Sequence, residues 1–84
     1  MKRFLVMLMR KPPIDPAVIP LHQQFLADLR EQGRNEMSGA FADRSGGAYL
    51  LRAESMEAAL AIAQRDPAHT SGCWDVTVYE WNTH

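Results

Sequence analysis

The sequence predicts an α+β fold: a four-stranded antiparallel sheet with two helices on one face. Three observations carry that prediction. Short apolar runs and stretches of helical period follow one another in the order β-α-β-β-α-β. Glycine and proline punctuate the junctions between them. The chain has 84 residues, enough for a single domain spanning 1–84 but not for two separate cores.

Residues 3–9, Arg-Phe-Leu-Val-Met-Leu-Met, read as the first strand, ended by Arg10-Lys11-Pro12-Pro13. Residues 11–17 read as a loop. A helix follows over 18–32, with Pro20 in its first turn, where a missing N–H costs nothing. Val18, Leu21, Phe25 and Leu29 recur at helical spacing, and Gly33 ends the helix as a cap. Residues 35–42 form a second strand, Asp43 to Gly47 a turn, and Ala48 to Ala53 a third strand, so that 35–53 is a hairpin. Ser55 is the expected N-cap of a second helix, with Met56, Ala59, Leu60 and Ala63 as its apolar stripe. Pro67 ends that helix, 68–73 is a loop, and Trp74 to Trp81 is the fourth strand. This order is the ferredoxin-like split βαβ arrangement. Right-handed crossovers put both helices on one face of the sheet.

Composition narrows the function classes. Leu, Ile, Val and Phe number only 18, so the core is thin. Both faces of the strands are apolar: Phe4, Val6 and Leu8 on one side, Leu5, Met7 and Met9 on the other. One face packs on the helices, and the other calls for a cover that the chain cannot supply. A second copy, sheet against sheet, is the expected cover, making a homodimer. The single cysteine, Cys73, excludes an intrachain disulfide scaffold and points to a reducing, cytoplasmic setting. The six-residue apolar run near the N-terminus is too short for a signal peptide or a membrane span. A net charge of −1 and the scarcity of aromatics on the central strands argue against a nucleic-acid partner.

Chemistry concentrates on a few residues. His22 shares a helical face with Phe25, Leu26 and Leu29, which half-buries an imidazole able to act as acid or base. Asp66 stands at the C-terminal end of the second helix, where an acid is unfavourable with the dipole. The topology brings the start of the first helix and the end of the second to the same end of the domain. There a carboxylate would orient His22. An ordinary Asp-Pro turn and a structural histidine account for the same residues. Arg10 is expected to hold an anionic group, with Phe41 and Trp74 as apolar walls. His69 and Cys73, with His22, offer only a thin ligand set, and no metal is assigned. Ser45-Gly46-Gly47 lacks a phosphate-loop pattern.

Phe4-Leu5-Val6, His22 with Phe25-Leu26 and Leu29, Gly33-Arg34, Gly39 with Phe41-Ala42-Asp43, Ser45-Gly46-Gly47, Glu54-Ser55 with Glu57-Ala58, Asp66-Pro67 and Trp81-Asn82 share an order and spacing. In these the chain resembles the YCII family, in the dimeric α+β barrel group. The resemblance implies a ferredoxin-like fold, a sheet-to-sheet dimer, and a His–Asp active site matching His22 and Asp66. It also implies roles like those of some members, in degrading aromatic compounds, including a dehydrochlorination, or beside regulators such as sigma factors. Three features depart from the family pattern: Gly39-Ala40 stands where Gly-Pro is usual, Ala68-His69 where a large apolar residue often follows Asp-Pro, and the chain is short between its first strand and helix. The expected function is acid–base proton transfer, an isomerisation or elimination, on a small and aromatic or oxygenated molecule without a cofactor. The alternative is a non-catalytic ligand-binding or protein-interaction module of the same fold.

Overall fold

The computed structural model describes residues 1–84. Its elements run β1 (Lys2–Arg10), α1 (Val18–Glu31), β2 (Asn35–Ala40), β3 (Gly46–Ala53), α2 (Met56–Ala63), α3 (Pro67–Thr70) and β4 (Trp74–Glu80). The four strands form one antiparallel sheet in the order β2-β3-β1-β4. This is the predicted ferredoxin-like order. No helix is long and apolar enough to cross a membrane.

The two faces of the sheet follow from strand alternation. Phe4 sits opposite Leu51 and Val6 opposite Tyr49, and all four are buried against the helices. The core adds Leu8, Leu29, Ala53, Ala59, Ala63 and Ala68. The small alanines let α2 and α3 lie close to the sheet. Leu5, Met7 and Leu50 occupy the other face, with exposed Met37 and Tyr79 on the flanking strands.

Local chemistry accounts for the element ends. Gly33 takes φ +75° just beyond α1. Its N–H donates to the Arg30 carbonyl, and the Arg34 N–H donates to the Leu29 carbonyl. This paired Schellman bonding closes the helix. The Ser55 hydroxyl accepts the Ala58 N–H at 3.1 Å and caps α2 as expected.

Three sequence expectations are corrected. Leu21 and Leu60 are exposed, whereas Leu26 and Ile62 turn inward. The true α1 face is Val18, His22, Phe25, Leu26 and Leu29, a continuous helical stripe in which Leu21 has no place. Gly46 and Gly47 belong to β3 rather than to the turn. A β-carbon on Gly46 would lie 1.9 Å from the Leu8 carbonyl oxygen, and one on Gly47 would lie 2.5 Å from that of Gly39. Only glycine lets the strands pair this closely. Finally, the expected loop after Pro67 begins with the short helix α3, so Asp66 is not a misplaced acid closing α2. It is the N-cap of α3, where a carboxylate is favoured.

Candidate active site

Asp66 is fully buried, and its carboxylate is held by two donors. Oδ1 accepts the Ala68 N–H at 2.9 Å, a local bond set by the Asp-Pro turn into α3. The same oxygen lies 2.8 Å from His22 Nδ1. An ionised Asp66 carboxylate can only accept, so this bond requires the hydrogen on Nδ1. Nε2 is then the ring nitrogen with a free lone pair. The sequence reading set a turn carboxylate against a histidine partner; the one oxygen does both.

α1 delivers His22 because its apolar face must meet the sheet, and the imidazole is the second residue along that face. Its side chain is 19% exposed, enough to meet solvent or a ligand on one side. The Trp74 indole, at the start of β4, stacks beside it with ring centroids 6.2 Å apart and an interplanar angle of 24°.

His22 and Trp74 line a cavity of about 350 Å³ between α1 and the sheet, together with Leu8, Arg10, Ile19, Leu26 and the glycines at 39, 46 and 47. The volume is at the low end for small-molecule sites. Arg10 and Trp74 both line this cavity. Phe41 does not: it lines a neighbouring depression with Met37 and Leu50. The 41–46 loop folds back through the Phe41 N–H to the Gly46 carbonyl, which fixes Phe41 at the base of the hairpin. His69 and Cys73 gain no third ligand, since no three His, Cys, Asp or Glu side chains gather as a metal-holding group.

Two ionisable cavity residues were not singled out in the sequence. Tyr49 looked like one more apolar strand position. Its ring is buried, and its hydroxyl, like Asp66 Oδ2, has no hydrogen-bond partner in the chain. Burial, and secondarily the Asp66 charge, push the Tyr49 phenol well above its ordinary value of 10.0, so it stays protonated. Arg44 lay inside a predicted turn, where only position relative to β1 could reveal its role. Beside it, the Asp43 carboxylate accepts the Ser45 N–H at 2.9 Å. Bonds to Ser45 hold that carboxyl below its usual range.

Comparison with known proteins agrees with this architecture. The YCII-related domain matches residues 3–82. The chain is 36% identical over 81 residues to the uncharacterised protein YjpA of Bacillus subtilis (strain 168), covering 96% of this chain and 95% of that protein. It is similar in fold to 5-chloro-2-hydroxyhydroquinone dehydrochlorinase from Burkholderia phenoliruptrix AC1100, solved with 2,5-dihydroxybenzoquinone. There the TM-score is 0.76 at 19% identity, covering 98% of this chain and 95% of that one. Muconolactone isomerase is also similar, with a TM-score of 0.77 at 19% identity, covering 98% of this chain and 90% of that one.

Proposed function

This chain belongs to the YCII-related domain family, and from that premise we propose that it is a small-molecule enzyme using His22 and Asp66 for acid–base proton transfer. One observation carries the reading: the 2.8 Å bond between His22 Nδ1 and a wholly buried Asp66 at the wall of a ligand-sized cavity. Asp66 orients the ring, and Nε2 takes the proton as general base. The proton comes from a carbon made acidic by an adjacent carbonyl. Its return to another carbon completes an isomerisation; departure of a leaving group completes an elimination. Arg10 and Trp74 are substrate-binding residues in this reading, and no organic cofactor is required. The two fold neighbours are, by name, an isomerase and a dehydrochlorinase, which supports this reaction class by analogy.

The same reading makes the protein a cytoplasmic homodimer joined through the open face of the sheet. Exposed Met37 and Tyr79 beside Leu5 and Met7 support the dimer. An unpaired Cys73 supports the compartment.

The test is nitrogen NMR of the His22 ring. In the wild type, the neutral ring should carry its hydrogen on Nδ1. Asp66→Asn keeps an acceptor oxygen but removes the charge, so it should weaken the preference for Nδ1–H and abolish turnover in a screen of small carbonyl and quinol compounds. A ring that is Nε2–H in the wild type, or indifferent to the substitution, rejects the dyad. A second reading has one observation behind it: Asp66 Oδ1 also caps α3, which a non-catalytic binding module would equally need. That module would keep the tautomer and bind ligands without turnover.

A further inference from the structure

We propose that Arg10 and Arg44 form an anion subsite at the mouth of the His22 cavity, selecting planar carboxylates of about the size of benzoate. The inference rests on the cavity being the binding site proposed above.

Both arginines line the cavity, and no aspartate or glutamate does, although the whole chain carries a net charge of −1. Neither forms a salt bridge. The neighbouring charges are already engaged: Lys11 lies 3.4 Å from Asp75, and the Asp43 carboxylate turns to Ser45. Asp66 lies buried behind His22, bonded to it. The cavity mouth is therefore positive and uncompensated, an arrangement that attracts an anion.

Backbone geometry holds the two cations to one rim. The Arg10 N–H donates to the Ser45 carbonyl at 2.9 Å, tying the end of β1 to the residue after Arg44. Arg10 also pairs in register with Trp74, whose indole stacks on His22. The rim thus runs from the arginines through the indole to the imidazole.

Arg44 occupies a position that folding alone would give to glycine. It is the one non-glycine residue with positive φ, at 64°. It follows the turn closed by its own N–H to the Phe41 carbonyl. A left-handed residue after such a turn is preferentially glycine. A β-carbon there is unfavourable, and the side chain it carries reaches the cavity.

The shape of the slot supplies the rest. On the sheet side, Gly39, Gly46 and Gly47 leave room beside the Leu8 and Tyr49 side chains; Trp74 and His22 stack to form another wall. A planar ring fits between them, with its carboxylate toward the arginines, where guanidinium pairing is bidentate.

The experiment measures binding of 2-hydroxybenzoate and of its neutral counterpart 2-hydroxybenzamide. The readout is the NMR signals of the Trp74 indole and His22 ring, in the wild type, Arg44→Gly and Arg10→Gln. The carboxylate should bind at least about tenfold more tightly than the amide, and less tightly as salt rises. Arg44→Gly should erase that preference while leaving the amide unchanged. It should also raise the urea midpoint, because glycine relieves the left-handed backbone. Equal binding of the two compounds, or a preference that survives Arg44→Gly, overturns the anion subsite and leaves the dyad intact. Binding of neither compound overturns the subsite as well, and the tautomer measurement then judges the proposed function separately.

Discussion

Asp66 is predicted to be the residue whose truncation costs the fold most per atom removed, while its amide costs little. Asp66→Ala removes two bonds at once. Loss of the cap leaves the N–H of fully buried Ala68 without a partner, worth about 1–3 kcal/mol. Loss of the bond to His22 adds about 1 kcal/mol, below the range of about 1.5–3 kcal/mol for charged hydrogen bonds, because the ring is partly exposed and regains water. The total is about 3 kcal/mol, which lowers the melting temperature by roughly 12 °C or more for a domain of this size. Asp66→Asn keeps an oxygen for both donors, and its new N–H₂ replaces Oδ2, an atom with no partner. It should cost about 1 kcal/mol or less. Urea unfolding of the three proteins at neutral pH measures both differences. An alanine variant within about 0.5 kcal/mol of the wild type would refute the capping argument. An asparagine variant as unstable as the alanine one would show that charge, not hydrogen-bond geometry, holds the turn.

Three further outcomes are expected. Gly46→Ala should cost about 3 kcal/mol or prevent folding, because its β-carbon meets the Leu8 backbone; Gly39→Ala, with nothing within 4 Å, should stay within about 0.5 kcal/mol, and urea midpoints compare them. Tyr49 binds its proton more tightly folded than unfolded, so its contribution is complete below pH 10.0 and declines as pH rises beyond it. Tyr49→Phe should therefore flatten the alkaline fall in stability, and equal slopes in urea titrations across that range would contradict the assignment. Met7→Lys places a charge in the middle of the open sheet face, and sedimentation should show the mass falling from two chains to one; an unchanged mass would mean the face is not the interface.

Much of the fold was legible because its signals are local. A proline-bounded apolar run makes β1, Gly33 closes α1, and Ser55 opens α2, each decided within a few residues of chain. His22 could be placed on the inner face of α1 by helical spacing alone. Asp66 could be placed at the same end of the domain by topology. Leu21 and Leu60 were misassigned because a stripe of period three and four can be drawn through more than one set of apolar residues. The sheet chooses which set it buries.

What remained for the tertiary structure depends on atoms far apart in sequence. His22 and Asp66 are 44 residues apart, and their 2.8 Å bond exists only once α1 packs beside the turn into α3. The short helix α3 itself leans on that packing, since four residues cannot sustain a helix alone. Gly46 and Gly47 are strand residues because of where Leu8 and Gly39 lie, not because of their own neighbours. The Tyr49 hydroxyl is unusual only through its burial near the Asp66 charge. Arg44 becomes a cavity residue only when β1 draws its turn inward. The sequence by itself determined the order of elements and the residue types able to do acid–base chemistry, since propensity and periodicity act over short range. Which of them meet, and around what cavity, was decided by packing, where position follows from every other element at once.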